Sequence, residues 1–332
     1  MISFLDVLIA VFSLTILAVP GFVLVKTKLI KGDAAAPFSA LVLYACQPML
    51  MFMGFQKTPY DSSIGVNMLI VAGIAFVVHF IMIGIMYLCF RNKDNNAKIN
   101  CLRFASVFSN CGYMGFPFLQ TLFGGTDAIG ELLIYGSVVV GVFNILTWSI
   151  GVYMMTGDKK QMSVKKALLN PTVLGLFLGL IVFFALRVPI VDIAVEGTTL
   201  DTILTKLIAS FNFLADMVTP LAMIVIGIRL ANVSLKNLFL DKWAYVSCVF
   251  KLIVMSIVSI LAVAFLPIST TVKYAIFFLL SMPSATGTVM FAVNFGGDGK
   301  SASVIVLLTT VLSIITIPLM YLMFSGVFGV VI

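Results

Sequence analysis

Ser109-Asn110-Cys111-Gly112-Tyr113-Met114-Gly115-Phe116-Pro117 interrupts an apolar run over residues 104–123 with two glycines, an asparagine and a proline. Proline removes a backbone donor and crowds the preceding turn, while glycine tolerates unwound geometry, so a helix is expected to break here. A counterpart, Ser281-Met282-Pro283-Ser284-Ala285-Thr286-Gly287-Thr288, interrupts a second run over residues 274–295. One such break reads as a packing kink, because Pro and Gly are common in membrane helices. Two at corresponding positions point to a binding site near the bilayer midplane, where freed N–H groups and half-helix N-termini favour an anion.

Outward from these stretches, ten apolar segments can be marked: 7–25, 38–55, 66–90, 104–123, 132–155, 173–188, 203–228, 244–266, 274–295 and 302–331. Most reach the roughly 17–25 residues a helix needs to cross hydrocarbon. Helices are required, since a backbone group left unpaired in lipid costs several kcal/mol. The composition agrees: 61% of the residues are hydrophobic and only 10% charged, where a soluble domain carries about 25% charged residues. The first segment lacks a basic leader and a small-residue cleavage site, so it reads as a retained helix. The net charge of +7 does not imply nucleic acid, because the cations sit in short loops between apolar runs. Five cysteines without a C-x-x-C pair imply neither a disulfide framework nor a metal site.

Fifteen Lys and Arg fall in the connections after segments one, three, five, seven and nine, counting Lys93, Arg103 and Arg229; four fall in the other connections. The positive-inside rule then puts both termini outside the cytoplasm. Internal similarity supports two halves. Gln47-Pro48-Met49-Leu50-Met51-Phe52 parallels Thr219-Pro220-Leu221-Ala222-Met223-Ile224, and Pro117 with Gly124-Gly125-Thr126-Asp127 parallels Pro283 with Gly296-Gly297-Asp298. The offsets are 172, 166 and 171 residues. Five crossings per half make the second copy run the opposite way. The expected fold is therefore all-α and integral to the membrane: ten transmembrane helices in two inverted five-helix repeats, 1–160 and 161–332, with helices four and nine broken.

Taken in order, Asn110-x-x-x-Met114-Gly115-x-Pro117, Asn170-Pro171, Asp216 with Pro220, and Pro283 followed by Phe291-Ala292 give the whole chain a pattern that resembles the auxin efflux carrier family. That family includes plant auxin exporters and bacterial malate or malonate permeases. The resemblance implies that helices four and nine cross at Pro117 and Pro283, and that a rigid scaffold supports a moving transport unit. It also implies a substrate-binding set: Asn110 and Tyr113 at the crossing, Asn144 four residues before Trp148, Met51 on a scaffold helix, and the two prolines. An asparagine amide can donate to a carboxylate without the desolvation cost of a buried cation; for Asn144 an interhelical hydrogen bond is the competing reading. Two departures point away from auxin itself, namely the short central loop and the apolar stretch 68–78, where the plant exporters of the long type carry a large loop and charged residues.

Ionisable groups inside a membrane are functional candidates by default. Asp216 and His79 are assigned coupling or supporting roles with Asn170, against the plainer reading of each as a satisfied structural polar group. Lys251 is expected to snorkel toward the cytoplasm. The functional expectation is a secondary transporter of small organic anions in the cell membrane, working by alternating access, with no cofactor and no metal. A channel or a non-transporting sensor of a similar ligand is the alternative. A membrane-embedded enzyme is disfavoured by the single histidine and the lack of an H-E-x-x-H motif or paired carboxylates. Lipid and a second copy of the chain are the expected partners.

Overall fold

The computed structural model describes residues 2–91, 96–233 and 235–328, so Lys93 and the end of the last apolar segment at Val331 lie outside the described residues. In chain order the main helices are α1 (Phe4–Lys26), α2 (Gly32–Gly54), α3 (Ser62–Cys89), the short α4 (Ala97–Val107) and α5 (Phe116–Phe123), then α6 (Ile129–Thr156), α7 (Pro171–Ile193), α8 (Thr199–Asn232), α9 (Lys242–Ala264), the short α10 (Thr270–Ser281) and α11 (Gly287–Asn294), and α12 (Gly299–Val327). Among the described residues eight of these, all but the four short ones, are long and apolar enough to cross a membrane. The fourth and ninth apolar segments are not continuous helices. Each is split into two pieces.

Prolines also shape the long helices. α1 loosens at Leu17 and resumes at Val19, next to Pro20, and α2 takes a π-helical turn over Val42–Cys46 just before Pro48. A proline cannot donate to the carbonyl one turn back, so the ladder widens or bends there.

The two split segments are joined to each other. α4 ends at Phe108 in extended geometry, and α10 ends at Met282, also extended, as the residue before a proline prefers. The Asn110 N–H donates to the Pro283 carbonyl at 2.8 Å, and the Ala285 N–H donates to the Phe108 carbonyl at 2.9 Å. Ser109 and Ser284 thus face each other in an isolated antiparallel bridge. Each broken helix supplies partners that the other lost, which is how irregular backbone survives away from water. Ser284 donates two further bonds, from its hydroxyl to the Ala105 carbonyl at 2.8 Å and from its N–H to the Thr309 hydroxyl at 3.2 Å.

Helices elsewhere approach at glycines. A Cβ built on Gly21 of α1 would lie 2.1 Å from the Ile224 carbonyl oxygen, and one on Gly227 of α8 would lie 1.8 Å from that of Ala18. In the same way Gly175 of α7 would meet the Pro48 carbonyl at 2.3 Å, and Gly179 the Phe55 ring at 2.5 Å. Small residues are what let membrane helices pack backbone to backbone. α1 is thereby held to α8, and α2 to α7. The outer faces of α1, α7 and α8 expose Leu5, Ile9, Phe12, Ile181, Ile203 and Leu207, a surface suited to acyl chains, while α6 is the most enclosed of the eight spans.

Gly227→Val is expected to lower stability by about 1–3 kcal/mol through overpacking, seen as a lower midpoint of thermal unfolding in detergent. Gly73→Val on α3, where an added Cβ would meet nothing within 4 Å, should leave that midpoint unchanged.

Candidate functional site

A cavity of about 430 Å³ opens where α2, α6, the end of α8 and the two interruptions meet. Asn110, Tyr113, Asn144 and Asn170 line it, together with Gln47 and Arg229. Phe143, Trp148 and Phe291 give it an apolar wall, and no Asp or Glu is among its lining residues. A concave site that is mostly apolar, with a few convergent donors and no acid, suits an organic anion.

Asn110 shows how the interruption leaves a side-chain donor unspent. Its N–H is engaged by Pro283, and its carbonyl accepts from the Met114 and Gly115 N–H groups at 3.1 Å each. The backbone is therefore satisfied, while the side-chain Nδ2 is buried with no hydrogen-bond partner. Two more lining residues carry a buried, unpartnered polar atom, Ser39 at Oγ and Arg229 at Nε. Buried polar groups are nearly always satisfied, and three of the nine exceptions among the described residues gather around this one cavity. Arg229 also borders a second, more open cavity of about 460 Å³ with Asp33, Asn232 and Lys300, and so stands between the two.

The sequence profile of a family described as "Membrane transport protein" matches residues 6–165 and 160–321. The chain belongs to this family, the auxin efflux carriers. It is similar to an uncharacterised transporter of Methanocaldococcus jannaschii, 23% identical over 314 residues that cover 92% of this chain and 94% of the relative. A provisionally named malonate transporter of Rhizobium meliloti is 26% identical over 308 residues, 89% of each chain. An uncharacterised transporter of Methanothermobacter thermautotrophicus is 23% identical over 316 residues, 93% of this chain and 95% of the relative. The protein is a multi-span membrane transporter; the family and these names speak for transport rather than for an enzyme.

Within this transporter, Asn144 spends one amide hydrogen on the Val140 carbonyl of its own helix at 2.8 Å, so it makes no interhelical bond through that hydrogen. Asn170 caps α7: its Oδ1 accepts from the Thr172 N–H at 2.9 Å. The Thr172 hydroxyl donates to Gln47 Oε1 at 3.3 Å, which joins the cap to the cavity wall. Met51, Pro117 and Pro283 are not lining residues. Met51 is fully buried in the core, Pro117 sits in the first turn of α5, and Pro283 contributes its carbonyl to Asn110. Asp216 is exposed where α8 bends. His79 lies away from the cavity on α3, its Nδ1 donating to the Ala75 carbonyl at 2.7 Å, with Nε2 unpartnered.

Lys251 does not snorkel. It is fully buried, and its ammonium donates to the Ser109 hydroxyl and, at 3.0 Å, to the Leu280 carbonyl, because the two helix breaks leave oxygen acceptors beside it. Two of the cations counted above in the connections are drawn into the protein instead. Arg103 is buried against Tyr87 and donates to the Phe90 carbonyl at 2.6 Å, and Arg229 lines the cavity. The apolar Leu230-Ala231 after Arg229 was the available signal, since it lets the helix run on past the cation.

Asn170→Ala should cost about 1 kcal/mol through loss of the cap, whereas Asn170→Asp, which keeps the accepting oxygen, should melt close to the wild type. Equal melting of the Ala variant and the wild type would show that the cap contributes nothing to stability.

Proposed function

We propose that this chain is a secondary transporter of small organic carboxylates that works by alternating access around the cavity at Asn110. The observation that carries the proposal is the unpartnered Asn110 amide, buried at a helix break in a cavity that holds Arg229 and no acid. A carboxylate there accepts hydrogen bonds from the amide and the guanidinium, while its hydrocarbon part meets Trp148, Phe143 and Phe291. The name of the Rhizobium meliloti relative favours malonate as the first compound to try.

In this reading the split pairs α4–α5 and α10–α11 are the fourth and ninth of ten crossings, which pass each other at Ser109 and Ser284, next to Pro283. Residues 1–160 and 161–332 are two inverted halves, and both termini face away from the cytoplasm of the cell membrane. The glycine contacts of α1 with α8 and of α2 with α7 support a firm scaffold against which the broken helices move. A second copy of the chain would pack on the exposed apolar faces of that scaffold.

Malonate at one hundred times its dissociation constant should stabilise the detergent-purified protein by about 2.7 kcal/mol. Asn110→Ala and Arg229→Gln should both fold yet lose most of that stabilisation, together with counterflow of labelled malonate in liposomes. Full binding and counterflow by the Asn110→Ala variant would refute the assignment of the site. Failure of a panel of carboxylates on the wild type would refute the substrate class.

A further inference from the structure

Lys251 stands in the π-helical stretch Val249–Val254 of α9, entirely out of contact with solvent. No described carboxylate lies within ion-pair distance of it. Its partners are oxygens of the two breaks: the Ser109 hydroxyl, which itself donates to the Leu280 carbonyl at 2.8 Å, and that same carbonyl. Leu280 is in the last turn of α10, where carbonyls lack helical partners and the negative end of the helix dipole lies. Hydroxyls and half-helix C-terminal carbonyls are the groups with which broken-helix transporters coordinate a monovalent metal cation.

The geometry points to Lys251 as a built-in cation that takes the place of sodium at the helix break. Its ammonium neutralises the C-terminal end of α10 and, through Ser109, holds the neighbouring Asn110 amide in place with a positive charge behind it. Lys251 is not a lining residue of the cavity, so it acts as a positioning residue. The consequence is a transporter that requires no sodium ion at this position. Only the ligand arm of the test below rests on the carboxylate reading of the cavity.

The test compares the wild type, Lys251→Ser and Lys251→Met in detergent, melted in sodium chloride and in choline chloride of equal ionic strength, first without ligand and then with malonate. The wild type should melt alike in both salts. Lys251→Ser should melt lower in choline and recover saturably with sodium, because the vacated oxygens accept the ion, whereas the methionine in Lys251→Met should block recovery. Lys251→Met should also bind malonate at least ~10-fold more weakly. A sodium-specific shift in the wild type, indifference of Lys251→Ser to sodium, or unchanged malonate affinity in Lys251→Met would each overturn the inference. If the wild type ignores malonate in both salts, the carboxylate reading fails and the salt comparison still decides the role of Lys251. If both variants fail to fold, the response of the wild type to sodium decides it.

Discussion

Two backbone hydrogen bonds, from Asn110 to Pro283 and from Ala285 to Phe108, are the constraint on which the rest of the site depends. In hydrocarbon a helix cannot open without finding new partners for its N–H and C=O groups. Opening two helices side by side solves the problem for both at once, since each extended segment reads as a single rung of sheet to the other. The pairing fixes Ser109 and Ser284 opposite each other and leaves the Asn110 Nδ2 buried without a partner. An unspent donor is thus left as a by-product of backbone satisfaction.

The electrostatic arrangement follows the same logic. α4 and α10 stop short, so acceptor oxygens accumulate at Ser109 and Leu280, and a buried ammonium answers them from α9. On the cavity side Arg229 and the Asn110 amide offer unspent donors, and no Asp or Glu lines the wall. Positive character therefore lies on both sides of the break, although no single exposed patch of the molecule would reveal it.

Much of this was legible in the sequence because its causes are local. Runs of apolar residues of sufficient length give the spans, and Asn-Cys-Gly followed by Pro117, or Met before Pro283, stops a helix by covalent geometry. Asn110, Tyr113, Asn144 and Asn170 were legible as residues near those stops or in the order of a known pattern. The roles of the cations were not. Whether Lys251 reaches water or a helix end depends on which helix lies beside it, and α4 and α10 come from distant parts of the chain. Arg229 near the end of a run looks like a loop residue until α8 is seen to continue to Asn232. Met51 fails for the opposite reason: its side points into the core, and register on a helix that contains a π turn cannot be counted from residue spacing.

The contacts at Gly21, Gly175, Gly179 and Gly227 have a consequence for how such a chain can change over generations. At Gly21, Gly175 and Gly227 what fits is decided by main-chain atoms, which are the same whatever the neighbouring residue. Lipid-facing positions can exchange one hydrocarbon side chain for another with little effect, and cavity positions can be retuned for a new cargo. The arrangement of the helices is then inherited largely as a set of omissions, places where nothing larger than hydrogen is admitted. Divergence to about a quarter identity over nearly the whole length, as between this chain and its relatives, is compatible with such a scheme.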